Sequence, residues 1–261
     1  EAYGQGRSER ALARALGAAD KKPGEVVLAT KWMPFLRTAR SIGRTIGARL
    51  AALAPYPIEL LQVHQPIGFS SVEAEMDAMA DLVAARKIQA VGVSNFGAAR
   101  MRRAHAALAR RGLPLASNQM KYSLLDRRIE SNGVLAAAKE LGITIIAYSP
   151  LEQGLLSGKF HDDPERLRKI RGPRKWRSAF RPSGLARSRA LVDEIKRIAS
   201  SHGATASQIA LAWLVRFHGD TVVAIPGASS PRHADEAARA IDLDLSDLEM
   251  RRLDELSRSF G

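Results

Sequence analysis

IELLQVHQP, residues 58–66, is a short run of apolar and β-branched residues that stops on a histidine, a glutamine and a proline. The body of the run has strand character, and its abrupt change of polarity falls at the C-terminal end. Five further runs behave in the same way: VVLATK (26–31), QAVGVSN (89–95), LASNQ (115–119), TIIAYSP (144–150) and VVAIPG (222–227). Their C-terminal ends carry Lys31, Ser94 with Asn95, Asn118 with Gln119, Tyr148 with Ser149, and Pro226 with Gly227, beside His64 in the first run.

Between the runs lie segments of helical period. SSVEAEMDAMADLVAARK puts Met76, Met79, Leu82 and Val83 on one stripe, and GVLAAAKELG groups Val134, Leu135, Ala138 and Leu141 before Gly142. Ser70 with Glu73, Thr205 with Gln208, and Ser246 with Glu249 have the spacing of a capping box at a helix start. Near-continuous apolar strands joined by crossover helices mean a parallel sheet buried on both faces. The first five runs start about 30 residues apart, one βα unit each, and that steady repeat favours a (β/α)8 TIM barrel over an open sheet.

Six strands are two short of a closed barrel. The chain is therefore read as N-terminally truncated, holding the third to eighth strands, with its start cut rather than formed by a targeting peptide. In parallel barrels the C-terminal strand ends form the chemical face, so six polar ends on one rim would surround a single pocket. Read alone, Lys31 is equally a residue reaching solvent, and His64 a satisfied packing residue. Six such coincidences on one face are a weaker account than a shared pocket.

Composition sets the outer limits. The 261 residues, 46% hydrophobic and 26% charged, fit one soluble α/β domain spanning 1–261. The absence of cysteine excludes a disulfide framework and a thiolate metal site, and a cytoplasmic setting fits better than a secreted one; no metal is expected. No stretch approaches 18 consecutive apolar residues, so no membrane span is expected. The net charge of +13 would attract phosphate. Most of it is arginine spread along helices such as ARMRRAHAALARR (99–111), and no recognition helix or stacking platform accompanies it, so nucleic acid is not an expected partner. One dense block, KIRGPRKWRSAFR (169–181), is a candidate to close over an anionic ligand, through Arg174, Arg177 or Arg181.

The ordered segments EAYGQGRSE, ATK, QVHQP, VGVSNF, ASNQMKYSLLDR, AYSPLEQGLLSGK and IPGASSPRHADEA resemble the successive signatures of the aldo-keto reductases over nearly the whole chain. The branch with a strand ending in IPGA, which includes plant-type reductases and potassium-channel β subunits, is the most similar. The resemblance implies an NADP(H)-dependent oxidoreductase that reduces aldehydes or ketones by hydride transfer. Tyr3 would donate the proton, and a neighbouring cation, Lys31, would ease its loss from a phenol of ordinary pKa about 10. His64 would orient the carbonyl oxygen. Ser94, Asn95 and Gln119 would hold the nicotinamide carboxamide, and Tyr148 would stack on the ring.

By the same similarity Ser149, Leu151, Gln153 and Lys159 would line the pyrophosphate. Gly227, Ser229, Arg232, His233 and Glu236 would line the adenosine end, where a helix N-terminus can receive a 2′-phosphate. NADPH/NADP+ is the expected cofactor and NAD(H) the lesser one, although Ser229, His233 and Ala237 replace residues more common in the family and weaken that preference. The family's catalytic aspartate belongs upstream of Tyr3. The resemblance further implies a monomer acting on a small carbonyl compound in the cytoplasm, or in a plastid if the source is a plant or alga.

Two rival readings accompany this one. The fold also suits an NADPH-binding redox-sensing or regulatory subunit with little turnover, and a barrel enzyme in which Lys31 forms a Schiff base with a carbonyl. Trp32, Phe35 and Trp176 are candidate pocket walls, with buried packing as the equal alternative.

Overall fold

The six runs all form strands in the computed structural model, which describes residues 6–163, 165–168, 172 and 178–261. They are β1 (Ala29–Trp32), β2 (Leu60–Val63), β3 (Ala90–Ser94), β4 (Leu115–Lys121), β5 (Thr144–Tyr148) and β6 (Val222–Ile225). The helices are α1 (Arg7–Ala18), α2 (Arg40–Leu53), α3 (Val72–Ala84), α4 (Ala98–Ala109), the single turn α5 (Arg128–Ser131), α6 (Val134–Leu141), α7 (Lys159–Asp162), α8 (Glu165–Arg168), α9 (Pro182–Ser201), α10 (Ala206–Arg216), α11 (Pro231–Arg239) and α12 (Asp247–Ser257). The chain divides into two compact units, Glu1–Gln119 with Gly133–Thr144, and Met120–Asn132 with Ile145–Gly261.

In the first unit β1, β2, β3 and β4 pair in parallel in chain order. The strands are shorter than the apolar runs, for reasons that are local. Val26 and Val27 are exposed, and the Leu28 N–H donates to the Glu59 carboxylate at 2.8 Å, so β1 starts at Ala29 rather than at Val26. Helices α3 and α4 pack together against this sheet, with Met76, Met79, Leu82, Met101 and Leu108 fully or nearly fully buried. Gly92 sits where the β3–β4 register shifts; a Cβ there would lie 2.5 Å from the Ser117 hydroxyl, so only glycine fits.

One expected cap is displaced by a residue. Ser71, not Ser70, caps α3 by accepting the Ala74 N–H at 3.2 Å, while Ser70 accepts the Ala39 N–H at 2.8 Å and ties the loop before α2 to the loop before α3. Thr205 and Ser246 do form capping boxes with Gln208 and Glu249. Gly142 ends α6 in the left-handed region, at φ 65°.

The arginines of α4 behave as solvated helix faces. Arg102 pairs with Glu140, Arg103 with the half-exposed Glu73, and Arg111, just past the end of the helix, with Asp81. Arg100 instead donates to the Pro66 carbonyl, bracing the loop that follows β2. Beneath that loop Glu75 is buried, and a Cβ at Gly68 would lie 2.4 Å from its Oε1.

Burial pushes the Glu75 carboxyl up to about 7, against the pull of Arg100. A folded pKa raised above the unfolded value of 4.5 means that the native state holds the extra proton between those limits. The stability it confers is complete below 4.5 and is lost as pH rises through 7. We expect urea unfolding of the wild type at pH 5 and pH 8 to differ from that of Glu75→Gln by up to about 3 kcal/mol in this sense. Identical pH slopes in the two proteins would contradict the assignment.

In the second unit β5 and β6 pair in parallel, and Pro226, which lacks an N–H, follows β6 directly. The aromatic centre is Trp213, Phe217, Tyr122 and His218, with Trp213 and Phe217 stacked at 4.4 Å. Arg127 lies over the faces of both Trp213 and Phe217, its guanidinium carbon 5.1 Å from each ring centre.

Candidate active site

Within the first unit the strand ends bring together two groups of expected site residues. Lys31, on β1, and His64, directly after β2, are each half-buried, and the His64 N–H donates to the Trp32 carbonyl at 2.9 Å. Burial holds the Lys31 ammonium pKa below its ordinary value. Burial also lowers His64, and the charge on Lys31 lowers it further, so the imidazole is neutral near pH 7. A neutral imidazole can donate one hydrogen bond without competing as an acid.

The second group is Ser94, Asn95 and Gln119. The Ser94 hydroxyl donates to the Gln119 carbonyl at 3.0 Å, the Asn95 N–H donates to the same carbonyl at 2.9 Å, and the Asn95 amide donates to the Ser94 oxygen at 3.0 Å. Asn95 adopts φ 60°, a conformation asparagine tolerates better than most residues and one that turns the chain sharply at the strand end. Asn118, the neighbouring polar strand end, points the other way. It is fully buried and spans the Phe96 backbone, donating to its carbonyl at 2.8 Å, which makes it a brace for the turn.

In the second unit Tyr148 ends β5 and is half-buried. The loop after it holds Ser149, Glu152, Gln153 and Gly154 at positive φ, three of them non-glycine. Such clustering of strained backbone is found where a loop must present its atoms in one fixed way. This loop and the segment after β6 line one cavity of about 890 Å³, which gathers Ser149, Leu151, Gln153, Lys159, Gly227, Ser229, Arg232, His233 and Glu236.

The cavity also takes in Arg166 and the Thr205–Ser207 start of α10, which the sequence reading did not assign. The capping box had marked that helix start; nothing in the spacing showed where it opens. At the far end the Ser229 hydroxyl and the His233 Nδ1 lie 3.1 Å apart, and Arg232 donates to Glu236 at 2.8 Å across one helical turn. A more apolar cavity of about 780 Å³ lies between α10, β6 and α11; it takes in Pro226 of the strand ends but none of the residues assigned to catalysis or to the cofactor.

Other expectations resolve differently. Trp32 is fully buried and donates its indole N–H to Ser41 at 3.0 Å, so it is a packing residue and not a pocket wall. Phe35 is 60% exposed. Arg181 is the exposed residue before α9, outside the cavity lining. Tyr3, Arg174, Trp176 and Arg177 lie outside the described residues. Among the described residues there is no cluster of histidines or carboxylates suited to a metal, and no helix long and apolar enough to cross a membrane.

The model of the aldo/keto reductase family matches residues 1–258. The chain belongs to the aldo/keto reductase family. Among similar aldo/keto reductases and relatives, an uncharacterized oxidoreductase of Mycobacterium tuberculosis is 38% identical over 260 residues, covering all of this chain and 76% of that protein. The chloroplastic pyridoxal reductase of Arabidopsis thaliana is 31% identical, over 97% of this chain and 70% of its own length. The aldo-keto reductase yakc of Schizosaccharomyces pombe, whose name carries NADP(+), is 30% identical over 97% of this chain and 75% of its own length. A crystal structure of a thermostable aldo-keto reductase with the inhibitor epalrestat matches at TM-score 0.75 and 28% identity, over 97% of this chain and 79% of that one. The expected parallel α/β fold, read as a (β/α)8 barrel from the strand spacing and as of aldo-keto reductase type from the resemblance, is the fold of that matched structure, and the chain is an oxidoreductase by family.

Proposed function

We propose that the chain reduces aldehydes or ketones to alcohols with NADPH, preferring it to NADH. The observation that carries this reading is the cavity of about 890 Å³ in the second unit, where two clefts of the sequence, 149–159 and 227–236, meet. Its size suits a large anionic ligand. Lys159, Arg166 and Arg232 supply cations, and the starts of α10 and α11 supply helix N-termini, the combination that receives phosphate groups. The residues present fit a phosphorylated dinucleotide.

When bound, the nicotinamide supplies the hydride that reaches the carbonyl carbon. The protein's own residues do the rest. Tyr3 gives its phenolic proton to the carbonyl oxygen. The Lys31 ammonium, partly desolvated, stabilises the phenolate left behind more strongly than an exposed lysine would. His64, held neutral, donates to the carbonyl oxygen and fixes its direction. Ser94, Asn95 and Gln119 form the donor and acceptor group for the carboxamide, and Tyr148 the platform for the ring.

Titration of NADPH and NADH by quenching of protein fluorescence tests the assignment. NADPH is expected to bind at least about tenfold more tightly than NADH, Arg232→Glu to remove most of that difference, and Lys159→Glu to weaken both by roughly tenfold. Absence of saturable NADPH binding would overturn the reading.

A further inference from the structure

We propose that Arg49 is the residue that positions Lys31 for its part in proton transfer, an inference that rests on the reading of Lys31 given above. Ser41, Thr45 and Arg49 are spaced four apart on α2 and so share one face of the helix. They form a continuous polar stripe. The Trp32 indole N–H donates to the Ser41 hydroxyl at 3.0 Å, and the Thr45 hydroxyl donates to the Ser41 carbonyl at 2.7 Å. The Arg49 Nη1 donates to the Thr45 carbonyl and hydroxyl at 3.1 and 3.2 Å, and its Nε donates to the Lys31 carbonyl at 3.2 Å.

The stripe therefore grips two consecutive residues of β1 by different handles. Successive side chains of a strand point to opposite faces. Trp32 is held by its side chain on the helix-facing side, so the Lys31 side chain projects from the other face, and Lys31 is held by its main-chain carbonyl. A lysine stem has four rotatable carbons, and fixing its root restricts where the ammonium can go.

Packing alone does not account for Arg49. Its neighbours on the same helix, Ile42, Ile46 and Leu53, are buried and apolar, and Arg49 is itself only 3% exposed. Burying a guanidinium is unfavourable unless its N–H groups are hydrogen-bonded, and the bonds Arg49 makes go to Thr45 and to the Lys31 carbonyl. The planar fork reaches the Thr45 and Lys31 acceptors at once from two of its nitrogens, a spacing that a lysine's single nitrogen reproduces only in part and an apolar residue not at all. Misplacing a reacting group by about 1 Å can cost roughly 10²-fold in rate.

The test uses the full chain with Arg49→Met, Arg49→Lys and Thr45→Val beside the wild type and Lys31→Met, each checked for folding by its circular dichroism. Arg49→Met is expected to lower kcat for 4-nitrobenzaldehyde at least about tenfold with the KM for NADPH unchanged, Arg49→Lys to restore part of the loss, and Thr45→Val to fall between. Competitive acetylation supplies a readout that needs no turnover: in folded Arg49→Met the pH midpoint for labelling of the Lys31 amine is expected to move up from its lowered value towards that of an exposed lysine. An Arg49→Met protein with wild-type kcat and wild-type Lys31 labelling would overturn the proposal. Equal turnover by wild type and Lys31→Met would instead refute the reading of Lys31, and the labelling midpoint would still decide whether Arg49 positions it.

Discussion

Lys31→Met is expected to lower kcat for carbonyl reduction by roughly 10²–10⁴-fold while leaving NADPH affinity nearly unchanged. Methionine keeps most of the apolar stem and removes the cation, so packing around β1 survives and the phenolate partner does not. The pH dependence sharpens this. Burial lowers the Lys31 pKa below its ordinary 10.5, so wild-type activity should decline on the alkaline side at a lower pH than an exposed lysine would set. His64, neutral near pH 7, should gain a proton only under more acidic conditions than a free histidine, which extends the working range downward. A Lys31→Met enzyme with wild-type kcat, measured by loss of NADPH absorbance, would remove Lys31 from the chemistry.

Arg127→Met is expected to destabilise the protein by about 3–5 kcal/mol, the usual result of removing one partner from a buried ion pair. Arg127 is 4% exposed and donates to both oxygens of Glu130 at 2.9 and 2.6 Å, to the Asp254 carbonyl at 3.0 Å and to Ser257 at 2.8 Å. It thereby ties α5 to α12, and its own N–H donates to the Phe260 carbonyl at 3.0 Å. Burial alone would raise the Glu130 carboxyl, but hydrogen bonds from His218, Arg127 and Tyr122 outweigh it and bring the pKa down to about 2. Without Arg127 that half-buried carboxylate loses both of its guanidinium hydrogen bonds. Methionine would keep contact with Trp213 and Phe217, so the loss reports the charge network rather than a cavity. Urea midpoints of the two proteins at pH 7 decide it, and a difference below about 1 kcal/mol would contradict the account.

Much of the fold was legible in the sequence because parallel strands buried on both faces must be apolar throughout, and their polar ends then stand out. IELLQVHQP and VGVSNF could be read in this way, and Lys31 and His64 do come together. What the periodicity could not give was the last residue of each element. Ser70 and Ser71 are adjacent and chemically identical, and only the tertiary demand of the Ala39 N–H assigns one to each task. Trp32 has an aromatic side chain of the kind that lines pockets, but strand alternation turns it away from Lys31 and into α2.

Arg166, the start of α10 and Arg49 escaped notice for a common reason. Each acquires its role from a long-range contact, and each sits in a local pattern that reads as an ordinary solvated or capped helix. Arginine in a chain with 40 basic residues carries little information until its burial is known. Only the fold distinguishes Arg49, buried and aimed at a strand end, from Arg102 and Arg103, paired on the surface.

The most direct measurement follows the label from cofactor to product. With NADPH deuterated at the transferring position of C4 and 4-nitrobenzaldehyde as acceptor, mass spectrometry of the alcohol should show one deuterium on the carbinol carbon, formed at a rate that collapses in Lys31→Met. Saturable binding of the labelled cofactor with no deuterated alcohol would contradict a reductase and leave a protein that holds NADPH without using it.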